Sequence, residues 1–216
     1  MSTTEARRAQ SQIEYPDSDG QPMADNTVQF RWIQTLQGGL DAMFRRDPEV
    51  FVAGDLLWYP VEGNNRLRTA PDVMVVLGRP KGDRGSYRQW EEGGIAPQVT
   101  FEILSPENRA ADRLEKLRFY ERYGVEEFYV YDPHAAHLEG WIRRGEHLER
   151  IPQMDGWVSP RLGIRFDMSL GELQVLGPDG DPLISYIEMA ELRHQERRRV
   201  ERLRAQIRAL GLEPDV

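Results

Sequence analysis

The chain contains no cysteine. That excludes disulfides, thiolate zinc sites and cysteine nucleophiles. It has no apolar run long enough to span a membrane, and the N-terminus lacks the apolar core of a signal peptide. A soluble, cytoplasmic protein with no membrane partner is the expectation. Apolar residues are modest at 39% of 216, enough for one ordinary domain with extensions. Positive charge is also in deficit. The net charge of -8 argues against a basic face over the whole molecule, though a local basic groove remains compatible with it.

The familiar signatures of other chemistries are missing as well. His134, His137, His147 and His194 show no metal spacing coupled to carboxylates. Ser105 has no His/Asp partner pattern, and Gly78 to Gly85 lacks the Lys-Ser/Thr end of a phosphate loop.

What is present falls into three parts: a flexible arm over 1–26, a domain over 27–190 and a basic helical tail over 191–216. Val28, Trp32, Thr35, Leu36, Leu40, Met43 and Phe44 recur at helical steps, with Asp25 or Asn26 as cap and Asp47-Pro48 as terminator. Val50 to Tyr59 reads as one strand and Arg66 to Leu77 as a second, paired as a hairpin or meander. Gly78 to Gly94 is a polar insertion carrying Arg79, Lys81, Arg84 and Arg88, and it fits a functional loop or a solvated one equally. A strand at Val99 to Leu104, a helix to Tyr123 capped by Gly124, and a strand at Glu127 to Asp132 predict a parallel pair with a right-handed crossover. A hairpin turns at Arg144-Gly145-Glu146, and irregular segments with strand fragments lead to a helix over Ile187 to Leu210. Residues 191–210 carry seven arginines against three glutamates, an excess of +4 that leaves -12 for the remainder. Such a helix suits a partner helix, and less well a nucleic acid.

The chemistry concentrates on Asp72, Glu102 and Lys116. Glu102 stands mid-strand between Phe101 and Ile103, where a carboxylate is costly unless paired. Strand alternation puts Thr100, Glu102 and Leu104 on one face, and Asp72 on the face of Met74 and Val76. If the strands are neighbours, the two acids converge. Two hard oxygen donors suit Mg²⁺, with Mn²⁺ as an alternative. Asp112, Lys116 and Tyr120 form one stripe of the helix. A surface ion pair between Asp112 and Lys116 explains that spacing equally well.

Pro71-Asp72, Glu102-Ile103-Leu104-Ser105-Pro106, Lys116, Tyr120 and the run Tyr123 to Pro133 together resemble the PD-(D/E)xK nuclease superfamily, in its Uma-type branch of restriction endonucleases. Leu104 stands where that superfamily has lysine, and Lys116 matches a lysine migrated to the following helix. The resemblance implies a restriction-endonuclease-like α/β fold, with a mixed central sheet flanked by helices, and Mg²⁺-dependent cleavage of DNA. It implies Asp72 and Glu102 as metal ligands, the Ile103 carbonyl as a further ligand, and Lys116 assisting the attacking water. Asp41 and Asp55 are both candidates for an additional acid. Cleavage of two strands implies a homodimer. The rival expectation is an inactive nuclease-fold module that recruits a partner through its C-terminal helix, consistent with Leu104 and the acidic balance.

Overall fold

The computed structural model describes residues 13–18, 20, 24–106 and 110–209. Most of the expected arm over 1–26, residues 107–109 and the last residues of the tail lie outside the described residues. The first element is helix α1 (Thr27–Met43). Asn26, in extended backbone, caps it by accepting from the Val28 and Gln29 amides at 3.0 and 2.9 Å. The helix stops at Phe44, before Asp47-Pro48. Its buried residues are Gln29, Ile33, Leu36 and Leu40: Leu36 and Leu40 are as expected, and at the start of the helix the line shifts by one residue, from Val28 and Trp32 to Gln29 and Ile33. Gly39 is tolerated because the segment after the last strand packs on it: a Cβ there would meet Leu183 Cγ at 2.6 Å.

Strands β1 (Val50–Gly54) and β2 (Trp58–Tyr59) replace the single strand expected over Val50 to Tyr59. The break is at Asp55, whose φ of 48° is left-handed and cannot continue a strand. Likewise β3 is only Val73–Leu77, and the stretch before it is irregular apart from a bridge between Trp58 and Thr69. Strand β4 (Tyr87–Arg88) pairs with β2 inside the polar insertion. That insertion is not a free basic surface. Glu92 binds both Arg79 and Arg84, Asp41 binds Lys81 at 2.7 Å, and Arg84 lies over the Phe51 ring.

The central unit follows as expected: β5 (Val99–Ile103), α2 (Ala110–Tyr123) and β6 (Glu127–Asp132), with β5 and β6 parallel. Gly124, at φ 98°, terminates α2. A hairpin of β7 (His137–Arg144) and β8 (His147–Arg150) adds to β6. The short strands β9 (Arg165–Asp167) and β10 (Gln174–Leu176) pair with each other, and α3 (Tyr186–Ala209) closes the described chain.

The main sheet has the order β1-β3-β5-β6-β7-β8, and its pairs are antiparallel except β5 with β6. It is a mixed sheet covered on both faces. One face packs Val99, Phe101, Ile103, Val73 and Val75 beneath α1 and the β9–β10 region. The other packs Met74, Val76, Phe128 and Val130 against Tyr120 of α2, Trp58 and Tyr87. Each fully buried side chain of this size contributes about 1.5–3 kcal/mol. Helix α3 stands apart: none of its described residues is buried, and Leu192 and Leu203 are about half exposed.

Candidate active site

β3 and β5 are adjacent and antiparallel, with Val73 opposite Phe101. This register brings Asp72, just before β3, to the level of the C-terminal end of β5. The Asp72 carboxylate accepts from the Ile103 amide at 2.6 Å. Glu102 points to the α2 face of the sheet, as alternation requires. Lys116 Nζ donates to Glu102 Oε2 at 2.5 Å, and the Tyr120 hydroxyl donates to Glu102 Oε1, also at 2.5 Å. The stripe on α2 therefore serves Glu102, and the costly mid-strand acid is paired on both oxygens.

Asp72, Glu102, Ile103 and Lys116 line one small cavity of about 60 Å³, together with Gln29 and Arg113. Two larger surface clefts, of about 530 and 720 Å³, flank residues 182–187 and contain neither carboxylate.

The electrostatics follow from burial. Asp72 is 9% exposed; desolvation, then the neighbouring Glu102 charge, push its carboxyl up to about 7, against the pull of Lys116. Burial works against the Lys116 cation, but Glu102 and Asp72 outweigh it and hold the ammonium above its usual range. Lys116 is thus an acid and hydrogen-bond donor at neutral pH, unsuited to acting as a base. Burial, then the Glu102 charge, push the Tyr120 phenol well up, so it stays a donor.

Sequence reasoning missed Gln29 as part of this site. Its Nε2 donates to the Ile103 carbonyl at 2.8 Å, while its Oε1 accepts from the Asp25 amide at 2.8 Å. Ser105 Oγ donates to Asp25 Oδ2 at 2.5 Å. The start of α1 is thereby tied to the end of β5. The available signal was a glutamine on the apolar face of a helix. The Ile103 carbonyl, expected as a metal ligand, already accepts one hydrogen bond and keeps its second lone pair. Of the two further acids, Asp41 is occupied at the surface by Lys81, whereas the charge of Asp55 is felt by both Asp72 and Lys116.

Among the described residues no cluster of three His, Cys, Asp or Glu side chains stands ready to hold a metal. Three carboxylate residues, Asp72, Glu102 and Asp112, line the cavity together with Ile103, whose carbonyl is a further oxygen donor. All are hard oxygens, and two cations, Lys116 and Arg113, stand beside them. That set fits a hard divalent cation whose remaining coordination comes from water and substrate.

A mixed sheet flanked by helices, with two buried acids and a lysine at the end of its central strands, defines an α/β protein with an acidic site over the sheet. Residues 5–173 match the family described as "Uma2: Putative restriction endonuclease". The chain belongs to that family. It is also similar to a solved structure described as a putative nuclease belonging to DUF820 from Anabaena variabilis ATCC 29413. The two are 15% identical, with 62% of this chain and 72% of that chain covered and a TM-score of 0.47. Comparison with curated proteins gives no match.

Proposed function

We propose that this chain is a Mg²⁺-dependent endonuclease that hydrolyses DNA phosphodiesters, with Mn²⁺ able to substitute. The observation that carries the reading is Glu102: a buried strand acid held by Lys116 and Tyr120, in one cavity with Asp72. Asp72 and Glu102 would hold the ion, with the Ile103 carbonyl as a further ligand. When bound, the ion supplies charge neutralisation and Lewis acidity at the phosphate oxygens. Lys116 donates toward the water that attacks phosphorus and stabilises the charge developing there. The P–O bond opposite the water breaks, the proton lost by the water passes through solvent to the leaving oxygen, and the products are a phosphomonoester and a free hydroxyl. Tyr120 and the Ile103 amide hold the two carboxylates in place. The protein works as a cytoplasmic homodimer, one copy per strand.

A second reading has one observation in its favour. Helix α3 buries none of its described residues and is arginine-rich, as a recruiting helix would be. On that reading the nuclease site is a relic, and α3 assembles the chain with a partner.

Incubation of the purified chain with duplex DNA separates the two. The endonuclease cuts with Mg²⁺ or Mn²⁺ and not with EDTA. Asp72→Ala abolishes cutting, and Lys116→Ala lowers it by about a hundredfold or more. Cutting that survives Asp72→Ala overturns the assignment.

A further inference from the structure

Arg113 has no assigned task. It lies three residues before Lys116 on α2, so the two side chains share a face of the helix. It lines the cavity that holds Asp72 and Glu102. Its ion pair is loose: Nη1 stands 3.4 Å from Glu139 Oε2, and the side chain is 40% exposed. Glu139 does not depend on it, because Arg150 Nη2 binds the other oxygen of that carboxylate at 2.5 Å. An exposed pair of this kind contributes about 0–1 kcal/mol, so its release costs little.

The sheet sets the distance involved. Glu102 registers with Val130 on β6, and Val130 registers with Glu139 on β7. The three residues form one row on the α2 face. Two strand spacings separate Glu139 from Glu102, about 10 Å. A side chain anchored on α2 above that row swings between its ends by rotating its own long stem. Arginine also matches phosphate in shape, with a planar fork of donors for two oxygens. None of the basic residues of the 78–94 insertion lines this cavity: Arg79 and Arg84 pair with Glu92, Lys81 with Asp41 and Arg88 with Glu91.

We infer that Arg113 is the phosphate-binding residue of this site: its guanidinium leaves Glu139 and binds a non-bridging oxygen of the phosphodiester lying over Asp72 and Glu102. Glu139 serves as the parking partner that holds the arginine at the cavity mouth when no substrate is present. The inference rests on the nuclease reading and deepens it by naming the substrate contact.

The test compares Arg113→Ala, Arg113→Lys and Arg150→Ala in the full chain. Arg150 shares Glu139 but does not line the cavity. The first readout is cleavage of a labelled duplex with Mg²⁺. The second is anisotropy of the same duplex with Ca²⁺ in place of Mg²⁺, across a series of salt concentrations. Arg113→Ala is expected to lower kcat/KM by about 10- to 100-fold and to reduce the slope of log affinity against log salt by about one. Arg113→Lys recovers part of the loss, because it restores charge without the fork. Arg150→Ala stays within about twofold of the wild type, as expected for a rim charge. Equal salt slopes for the wild type and Arg113→Ala overturn the proposal. If the wild type shows no Asp72-dependent cutting, the nuclease reading fails, and the slopes alone then decide whether Arg113 binds phosphate. Absence of binding by the wild type overturns both.

Discussion

The Tyr120 hydroxyl donates to Glu102 Oε1 at 2.5 Å from a side chain with no solvent exposure, its ring parallel to Trp58 and edge-to-face with Phe128. The pair joins α2 to β5 through a buried charge-assisted bond, and it fixes which way the strand acid faces.

Tyr120→Phe keeps the ring and removes only that donor. The lost bond to a charged group costs about 1.5–3 kcal/mol. In a chain of this size that is a fall in Tm of about 3–12 °C. The stabilisation conferred by added Mn²⁺ should also shrink, because Glu102 is no longer held in one orientation. Thermal unfolding with and without Mn²⁺ measures both, and a Tm equal to the wild type would mean that the hydroxyl bond is not stabilising.

Asp72 makes the metal-free protein sensitive to pH in a definite direction. Its carboxyl is raised by burial and by Glu102 from the ordinary 3.8 to about 7, so the folded state prefers the neutral form. The contribution to stability is complete below about pH 4 and is lost as pH rises through about 7. Asp72→Asn should therefore raise Tm at pH 8 in EDTA and leave it nearly unchanged at pH 4. Mg²⁺ should stabilise the wild type and not the variant. A variant less stable than the wild type at pH 8 would contradict this.

Glu127 supplies a control remote from the site. It is 1% exposed and accepts from Ser159 Oγ and the Tyr129 hydroxyl through one oxygen and from the Arg161 amide through the other. It registers with Val99, at the opposite end of β5 from Ile103. Glu127→Ala strands two buried hydroxyl donors and the part-buried Arg161 amide, and should cost about 3 kcal/mol or more. The response of Tm to Mn²⁺ should persist, since neither acid of the cavity is touched. Chemical denaturation in the presence and absence of the ion reads both effects, and a variant as stable as the wild type would show the network to be dispensable.

Much of this arrangement was legible in the chain. Alternation put Glu102 with Thr100 and Leu104, and Asp72 with Met74 and Val76, and the register of β3 with β5 makes these one face; the run from Val99 to Asp132 folds as strand, helix and strand because its periods switch from two to 3.6. The i,i+4 step from Lys116 to Tyr120 was visible, but a surface stripe and two partners of one acid share that spacing. Only the parallel register of β5 and β6, which seats α2 over Glu102, separates them. Other features were not legible. Asp55 breaks a strand by adopting a left-handed conformation that nothing in its neighbours' composition demands. The buried line of α1 runs through Gln29 and Ile33 because the helix presents a polar side chain to the Ile103 carbonyl, which a count of apolar positions passes over. The insertion's basic residues looked available because the acceptors of Arg79, Arg84 and Lys81, which are Glu92 and Asp41, are assigned only by folding.

The seat of Leu183 on Gly39 has a consequence for how such chains diverge. A missing side chain on one element and a bulky one on another form a lock and its key. Neither position drifts freely: a methyl gained at the first demands a smaller group at the second, and the strap over α1 then has to be refitted. Related chains should therefore change these two sites in concert, leaving a paired trace in their descent some distance from any chemistry.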